Sequence, residues 1–205
     1  RAKRMIGGNV GSIGAILTNR IYDNAGDMTT AGLDFHLHPG SNIHITLHGT
    51  ASIHNESDNL EYIYDSSSND YPSTFDNGKY TKTFDGEKIT GNALGFAINY
   101  RDRTDDYGVV LRLRSPGFRT SNGFEKNNST KWLKAGRGKT VYYDNHPKLL
   151  KTKYNIETVY KTNYTGVIKK QELSLSTSSD LKNGDFFQLS GEVEKETFRG
   201  IQFDK

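Results

Sequence analysis

Apolar and polar residues alternate between Leu94 and Arg114, and this alternation is the clearest structural signal in the chain. Every second residue from 94 to 100 is apolar or aromatic, and the same spacing resumes from Val109 to Leu113 after a polar turn. Successive side chains of a strand point to opposite faces of a sheet, so the pattern predicts an antiparallel hairpin with one apolar face. Its other face carries four polar residues, Asn99, Arg101, Arg112 and Arg114.

Similar alternation recurs along the rest of the chain, with turn residues between the segments. Residues 33–37 and 43–54 flank Pro39-Gly40-Ser41-Asn42, and Lys182-Asn183-Gly184-Asp185 is a second clear turn signal. No window shows the 3.6-residue period of an amphipathic helix over a dozen residues. Many short strands separated by Gly and Asn predict an all-β, two-sheet antiparallel β-sandwich of jelly-roll type.

The domain organisation that we predict is a short N-terminal segment followed by one domain. Residues 1–17 are basic and then apolar, with four glycines between 5 and 17, and residues 18–205 form the single β-sandwich domain. Arg1-Ala2-Lys3-Arg4 fits a processing site or the end of a basic arm. An extended edge segment is expected for 5–17, and insertion of this segment into membranes is the alternative.

Composition limits the classes of function. The 205 residues include no cysteine, which excludes disulfides and cysteine metal sites, and the formal net charge is only +3. Such a balance makes nucleic acid an unexpected partner unless the protein is a capsid protein. No apolar run reaches the roughly 20 residues of a spanning helix, so we expect no transmembrane segment. An extracellular or virion-surface location fits these features.

Five of the six histidines fall between residues 36 and 54. His36, His38, His44 and His48 share strand faces in pairs, which is a pattern that metal ligands use. The His36-x-His38 pair with Gly49 resembles half of the first cupin motif, although Asn42 stands where that motif has an acidic ligand. The resemblance implies a divalent metal at this cluster. Our leading expectation is a histidine-rich surface without any cofactor, and the divalent metal is the alternative.

A second cluster, Glu192-Val193-Glu194-Lys195-Glu196, places three carboxylates on one strand face. It is similar to the E-x-D-x-E signature of laminarinase-type glycoside hydrolases, with Glu194 in place of the central Asp. That resemblance implies Glu192 and Glu196 as the catalytic pair of a polysaccharide-degrading enzyme. The other interpretation is a solvated edge strand whose like charges prevent aggregation.

The face with the arginines is the third candidate site. An arginine side chain offers a planar fork for carboxylate, sulfate or phosphate, and aromatic rings pack on sugars. We therefore predict a ligand-binding site at Asn99, Arg101, Arg112, Arg114 and Trp132.

The function that follows is a non-enzymatic recognition module for a glycan or cell-surface receptor, of the viral, phage or secreted adhesin type. Three alternatives stay open: a small viral capsid protein, the polysaccharide-degrading enzyme, and a secreted membrane-active toxin matured after Arg4. Assembly into a homo-oligomer is compatible with each of these.

Overall fold

The computed structural model describes residues 2–7, 10–22, 26–57, 74–81, 85–120, 128–198 and 201–204. Within these ranges the chain forms thirteen β-strands and no helix. The strands are β1 (Ala2–Ile6), β2 (Gly11–Ile21), β3 (Gly26–Leu37), β4 (Ile43–Glu56), β5 (Thr74–Phe75), β6 (Tyr80–Thr81), β7 (Lys88–Arg101), β8 (Asp105–Arg114), β9 (Thr130–Tyr142), β10 (Leu149–Asn163), β11 (Ile168–Leu181), β12 (Phe186–Phe198) and β13 (Ile201–Asp204). The prediction of an all-β protein is confirmed.

Eleven of these strands form one antiparallel sheet in the order β1-β2-β3-β4-β7-β8-β9-β10-β11-β12-β13. The short strands β5 and β6 pair with each other as a separate hairpin between β4 and β7. The predicted central hairpin is β7–β8, in which Leu94 pairs with Leu113 and Ile98 pairs with Val109. Residues 33–37 and 43–54 fall in β3 and β4, which also pair as predicted.

The jelly-roll sandwich is not what the described strands form. Apart from the β5–β6 insertion, each strand of the large sheet pairs with its neighbours in sequence, whereas a jelly roll needs long connections that exchange strands between two sheets. Short turns permit only adjacent antiparallel pairing, and this accounts for the simple meander. The predicted domain boundary between residues 17 and 18 falls inside β2, so the N-terminal segment contributes the edge of the same sheet.

Register and alternation divide the sheet into two chemically different faces. One face, called here the apolar face, has long rows of aliphatic and aromatic residues running across the strands. One such row consists of Phe35, Leu47, Phe96, Leu111, Leu133 and Tyr160. The opposite face, called the polar face, carries charged, small and hydroxyl side chains. One row on it consists of Asp34, His48, Gly95, Arg112, Trp132 and Lys161.

No second layer covers the apolar face within the described part of the chain. Leu17 and Leu189 are each 70% exposed there, and Val193 is 71% exposed. Soluble monomers rarely expose contiguous apolar surface on this scale, so the face implies contact with another apolar medium or molecule. No helix that could cross a membrane occurs among the described residues.

The closest packing lies on the polar face at one end of the sheet. Ile89 is 1% exposed and Phe118 is 4% exposed, because the segment after β8 folds back over the sheet. This approach needs glycine, since a Cβ at Gly91 would lie 2.2 Å from the backbone nitrogen of Phe118. The backbone N–H of Arg119 donates a hydrogen bond to Ser52 Oγ at 3.1 Å and fastens the segment to β4.

The two ends of the sheet differ in the length of their connections. At one end, the short-turn end, strands are joined by residues 7–10, 38–42, 102–104, 143–148 and 182–185. At the other end, the long-connection end, two of the five links are long, residues 57–87 and 115–129, and the other three are residues 22–25, 164–167 and 199–200. The small buried cluster around Ile89 and Phe118 therefore lies at the end where the chain has spare length.

Candidate functional site

The five residues predicted to bind a ligand lie on the polar face. Arg112 pairs across the sheet with Gly95 on β7 and with Trp132 on β9. Asn99 and Arg101 lie on the same face of β7, and Arg114 is two residues beyond Arg112 on β8. Strand alternation and adjacent pairing are sufficient to bring these side chains to one surface.

Arg112 and Trp132 form the centre of a groove on this face. The Arg112 Cζ atom lies 4.9 Å from the centre of the Trp132 ring, which is a cation–π contact. The groove has a volume of about 390 Å³, and Arg114, Lys134 and Lys161 also line it. One of these cations is neutralised, since Lys134 Nζ lies 2.6 Å from Glu157 Oε1.

Asn99 and Arg101 line a second groove of about 480 Å³ nearer to the short-turn end. Arg101 is paired there, because its guanidinium donates hydrogen bonds to Asp106 Oδ2 at 2.7 and 2.9 Å. Asp102 has a structural role in the adjacent turn, where its Oδ1 accepts hydrogen bonds from the backbone N–H groups of Thr104 and Asp105. Near the Arg112–Trp132 groove, cations of the polar face come from β8, with Arg112 and Arg114, and from β10, with Lys161.

Glycines on the polar face make room for polar side chains of neighbouring strands. A Cβ at Gly95 would lie 2.0 Å from the His48 ring, and one at Gly14 would lie 2.4 Å from Asp34 Oδ1. The imidazole and the carboxylate therefore lie flat across the adjacent strand. This arrangement keeps long side chains close to the sheet and leaves the space above it open.

The four predicted metal-binding histidines all lie on the polar face, but they separate into smaller groups. The rings of His38 and His44 are in edge contact, with centroids 4.5 Å apart, near the β3–β4 turn. His36 Nε2 lies 3.4 Å from Asp34 Oδ2, and His48 lies over Gly95. Among the described residues, no group of three metal-ligand atoms within 4.8 Å includes a histidine. Divalent metal binding at this cluster stays a prediction.

Glu192 and Glu196 lie on the polar face of β12, four residues apart along one strand. Four residues of strand span roughly 13 Å, whereas the carboxylates of a retaining glycosidase are about 5–5.5 Å apart. Glu194, the middle carboxylate of the three, belongs to an ion-paired cluster. In this cluster Lys170 Nζ lies 2.8 Å from Glu172 Oε2 and 3.0 Å from Glu194 Oε2. This ion-paired cluster gives no support for the catalytic pair.

A cavity that the sequence analysis did not predict lies at the long-connection end. It has a volume of about 500 Å³ and is lined by the end of β4, the β5–β6 hairpin and the segment after β8. His54, Glu56, Phe75, Arg119 and Asn128 are among its residues. The only sequence signal was indirect: His54 belongs to the histidine-rich stretch, and Asn128 belongs to a polar segment of unusual length.

The ionisable groups of this cavity are perturbed by burial and by one another. Burial, and then repulsion from Asp85 and Glu87, raise the pKa of Glu56 to about 7. Burial, followed by the charge of Arg119, lowers the pKa of His54. Burial lowers the pKa of Arg119 as well, and Glu56 opposes that change. The cavity therefore holds a carboxyl group that titrates near neutral pH beside a neutral imidazole.

Comparison of the chain with protein-family models, with curated proteins and with solved structures finds no match. Function must therefore be argued from the two faces of the sheet and from the cavity at its end.

Proposed function

We propose that the sheet is embedded in a lipid bilayer through its apolar face, and that its polar face lines an aqueous path for small polar solutes. The observation that carries the proposal is the separation of the two faces, with the apolar one uncovered. Lipid chains would remove large exposed residues such as Leu94, Leu133 and Leu175 from water. Burial of apolar surface is favourable by roughly 25 cal/mol per Å².

The borders of the apolar face support lipid as its partner. Tyr100 and Tyr107 lie side by side toward the short-turn end, with ring centroids 5.9 Å apart, and Arg137 Cζ lies 5.2 Å from the Tyr107 ring. Toward the other end, Lys131 Nζ lies 4.9 Å from the centre of the Tyr164 ring. Tyrosines and long cationic side chains favour the boundary between hydrocarbon and water, because their ends stay hydrated.

The strands have the length that a membrane crossing needs. A tilted strand spans the hydrocarbon region with about 9–11 residues, whereas a helix needs about 20. Strands β7 to β12 have 10 to 15 residues each. All five connections at one end are short and two of the five at the other end are long, and membrane-spanning sheets also have short turns at one end and longer loops at the other. The proposal departs from our expectation of no transmembrane segment, which rested on apolar runs of helical length.

Backbone hydrogen bonding places one requirement on this proposal. Every N–H and C=O group in hydrocarbon needs a partner, because an unpaired one costs several kcal/mol. Strands β2 to β12 have neighbours on both sides, but β1 and β13 are the edges of the described sheet. We therefore propose that the outer edges of β1 and β13 are also hydrogen-bonded in the membrane.

The polar face has the properties of a surface in contact with water and solutes. Its cations, such as Arg112 and Lys170, alternate with carboxylates such as Glu157 and Glu172. The two grooves of about 390 and 480 Å³ match the size of small organic solutes. Both charge signs are present, so we propose passage of polar solutes in general without strong preference for anions.

Binding of a glycan or a receptor by the polar face is our second candidate function. The Arg112–Trp132 pair favours it, because a guanidinium beside an indole can bind a sulfated or carboxylated sugar. The guanidinium, however, already lies over the indole ring, where a sugar would stack. Retention of the protein on an immobilised sulfated polysaccharide, lost in Arg112→Ala, would favour this hypothesis.

The absence of cysteine allows a direct test of the membrane proposal. The variants Leu111→Cys and Arg112→Cys each carry one cysteine for a fluorescent label. The label lies on the apolar face of β8 in the first variant and on the polar face in the second. The labelled proteins are folded into phosphatidylcholine vesicles and exposed either to spin-labelled lipid or to aqueous iodide. We expect lipid to quench the label at 111 and iodide to quench the label at 112.

The pair Leu133→Cys and Lys134→Cys on β9 repeats the test in a second strand. Iodide quenching at all four positions would contradict insertion in the bilayer. If the labels at 111 and 133 are protected from iodide in the absence of lipid, and the molar mass is doubled, the apolar face binds a second copy of the chain instead of lipid. Release of a trapped sugar from vesicles that contain the unlabelled protein tests the aqueous path, and no release would overturn that part.

A further inference from the structure

The groove beside Trp132 on the polar face contains more positive than negative charge. Its lining includes five cationic side chains from four adjacent strands, and only two carboxylates. The cations are Arg112 and Arg114 of β8, Lys134 of β9, Lys161 of β10 and Lys170 of β11. The balance of charge signs over the polar face as a whole therefore does not hold within this groove.

The two carboxylates of the lining, Glu157 and Glu172, are already paired. Lys134 Nζ lies 2.6 Å from Glu157 Oε1, and Lys170 Nζ lies 2.8 Å from Glu172 Oε2. The negative charge of the lining therefore neutralises two of its five cations.

Two further cations, Arg112 and Lys161, lie on the two sides of Trp132. Arg112 pairs across the sheet with Gly95 and Trp132. Lys161 pairs with Trp132 and Lys170, so neither cation has a carboxylate directly opposite. The ion pairs formed by the described residues include none with Arg112 or Lys161. Arg112 is exposed and Lys161 is partly exposed, so neither side chain is enclosed by the protein.

The positive charge of the groove also acts on the neighbouring strand β4. The His48 ring lies over Gly95, which pairs with Arg112 in the register of the sheet. Burial, and then the charges of Arg112 and Arg114, lower the pKa of His48, whereas Asp34 opposes this change. A field that disfavours a further cation favours an anion at the same place.

The chemistry of the groove indicates how a ligand would be recognised. A guanidinium binds a carboxylate or a phosphate through two parallel hydrogen bonds, and an ammonium group donates up to three. The indole of Trp132 is less accessible for stacking on a sugar, because Arg112 Cζ lies over the ring at 4.9 Å from its centre. Recognition through charge is therefore favoured over stacking. The backbones of Arg112 and Lys161 are two strand spacings apart, roughly 10 Å, which suits a ligand with two anionic groups.

We propose that this groove binds a small solute with at least two carboxylate or phosphate groups, which contact Arg112 and Lys161 on either side of Trp132. A volume of about 390 Å³ is sufficient for a molecule of the size of citrate. The role of the site rests on the proposed function, because the groove would hold anionic solutes within the aqueous path. Binding itself does not require a membrane.

Citrate and inorganic pyrophosphate are the two probes, one for each kind of anionic group, and trimethyl citrate is the uncharged control. Binding to the full chain in a neutral detergent is measured by isothermal titration calorimetry, at constant ionic strength and without divalent metal ions. We expect at least one of the two anions to bind, and the ester to bind at least tenfold more weakly. The anion that binds more tightly identifies the preferred group. No binding of either anion at millimolar concentration, or equal binding of the anions and the ester, would overturn the proposal.

Trp132 locates the ligand, because it is the only tryptophan of the chain. An anion bound beside the indole would shield it from collisional quenching by iodide and would compete with iodide for the same cations. We expect the bound anion to reduce iodide quenching of Trp132 at least twofold, and the ester to have no effect. Anion binding that leaves the quenching unchanged would place the ligand elsewhere and refute the assignment.

Two substitutions test the two contacts separately. Arg112→Gln and Lys161→Gln should each weaken anion binding at least tenfold. Lys151→Gln is the matched control, because Lys151 lies on the same face of β10 and its charge is neutralised by Asp180, at 2.9 Å. Its affinity should change less than twofold. A loss in Lys151→Gln as large as that in Lys161→Gln would indicate an effect of net charge alone and contradict the site.

A substitution that strengthens binding distinguishes a lost contact from a damaged fold. Glu157→Gln removes the carboxylate that neutralises Lys134, so one more cation becomes available to the ligand. We expect the affinity to rise at least threefold, an increase that misfolding does not produce. Unchanged or weaker binding in a Glu157→Gln protein with the wild-type circular dichroism spectrum would contradict a site based on excess positive charge.

Vesicles connect the site with the aqueous path and keep the two proposals distinguishable. The anion that binds should slow the release of a trapped neutral sugar through the wild type, but not through Arg112→Gln. Anion binding in detergent without any release of sugar would contradict the path alone. Release of sugar without anion binding in detergent would contradict this site alone.

Discussion

The apolar face of the sheet and the buried cluster at its long-connection end are built from similar residues but packed in opposite ways. Ile89 and Ile98 belong to the same strand, β7, and they lie on opposite faces. Ile89 is 1% exposed beneath the segment that carries Phe118, whereas Ile98 is 37% exposed on the apolar face. Among the described residues, a long connection that folds back over the sheet covers Ile89, whereas the apolar face at Ile98 has no such cover.

The difference shows that two properties of a sheet are independent: which of its faces is apolar, and what covers that face. Alternation decides which face is apolar, but it does not decide what covers that face. In a sandwich the cover is a second sheet of the same domain, and here eleven paired strands provide none. Among the described residues no part of the chain covers the apolar face, and in our proposal lipid covers it, in keeping with the tyrosines and cations at its borders.

The largest effect is expected from a charge in the middle of the apolar face. Leu111→Arg would place a guanidinium in hydrocarbon, at a cost of about 2–4 kcal/mol near the bilayer midplane. We expect a clear loss of folded protein in vesicles, measured by the resistance of the sheet to protease after reconstitution.

Val110→Arg is the matched control, because Val110 directly precedes Leu111 in β8 and its side chain lies on the opposite, polar face. It should reduce the folded fraction only slightly, since its side chain stays in water. Equal losses in the two variants would mean that the two faces of β8 meet the same environment, and the comparison between them would fail.

A cavity-forming substitution inside the buried cluster should have the next largest effect. Ile89→Ala removes a side chain that is fully enclosed, and isoleucine-to-alanine changes in cores cost about 2–5 kcal/mol. We expect a loss of about 3 kcal/mol in the free energy of unfolding, measured by urea titration in detergent. The same substitution at Ile98 should cost less than about 1 kcal/mol, because fluid hydrocarbon fills the space that the side chain leaves. A larger loss at Ile98 than at Ile89 would show that the apolar face packs against something solid.

The sequence was sufficient for the strands, the central hairpin and the composition of the polar face. Period-2 alternation in 94–114 predicted the β7–β8 pair, and it placed Arg101, Arg112 and Arg114 on one surface with Asn99. It was not sufficient for the layer structure. An apolar row such as Leu94, Phe96 and Ile98 is identical in pattern whether a second sheet or lipid lies against it, so alternation predicts the apolar face but not what covers it.

The cavity was beyond sequence reasoning for a different reason. Its lining comes from three segments that are far apart in the chain, and their meeting depends on the contact of Phe118 with Gly91. No local pattern encodes that contact. The histidines show a different limitation. Alternation predicts that His36 and His38 share one strand face and that His44 and His48 share another, but it does not give the distances between the four rings.

The smallest effect that still tests the comparison is the coupling between Arg112 and Trp132. Their contact lies on the polar face in an open groove, where hydration weakens the attraction between a guanidinium and an indole. A double-mutant cycle with Arg112→Ala and Trp132→Leu should give a coupling of about 0.5–1 kcal/mol, the range for exposed cation–π pairs. Unfolding in urea at constant detergent measures it. A coupling near 2 kcal/mol would mean that the groove is desolvated, and the polar face would then resemble a closed binding site more than a wall of a water-filled path.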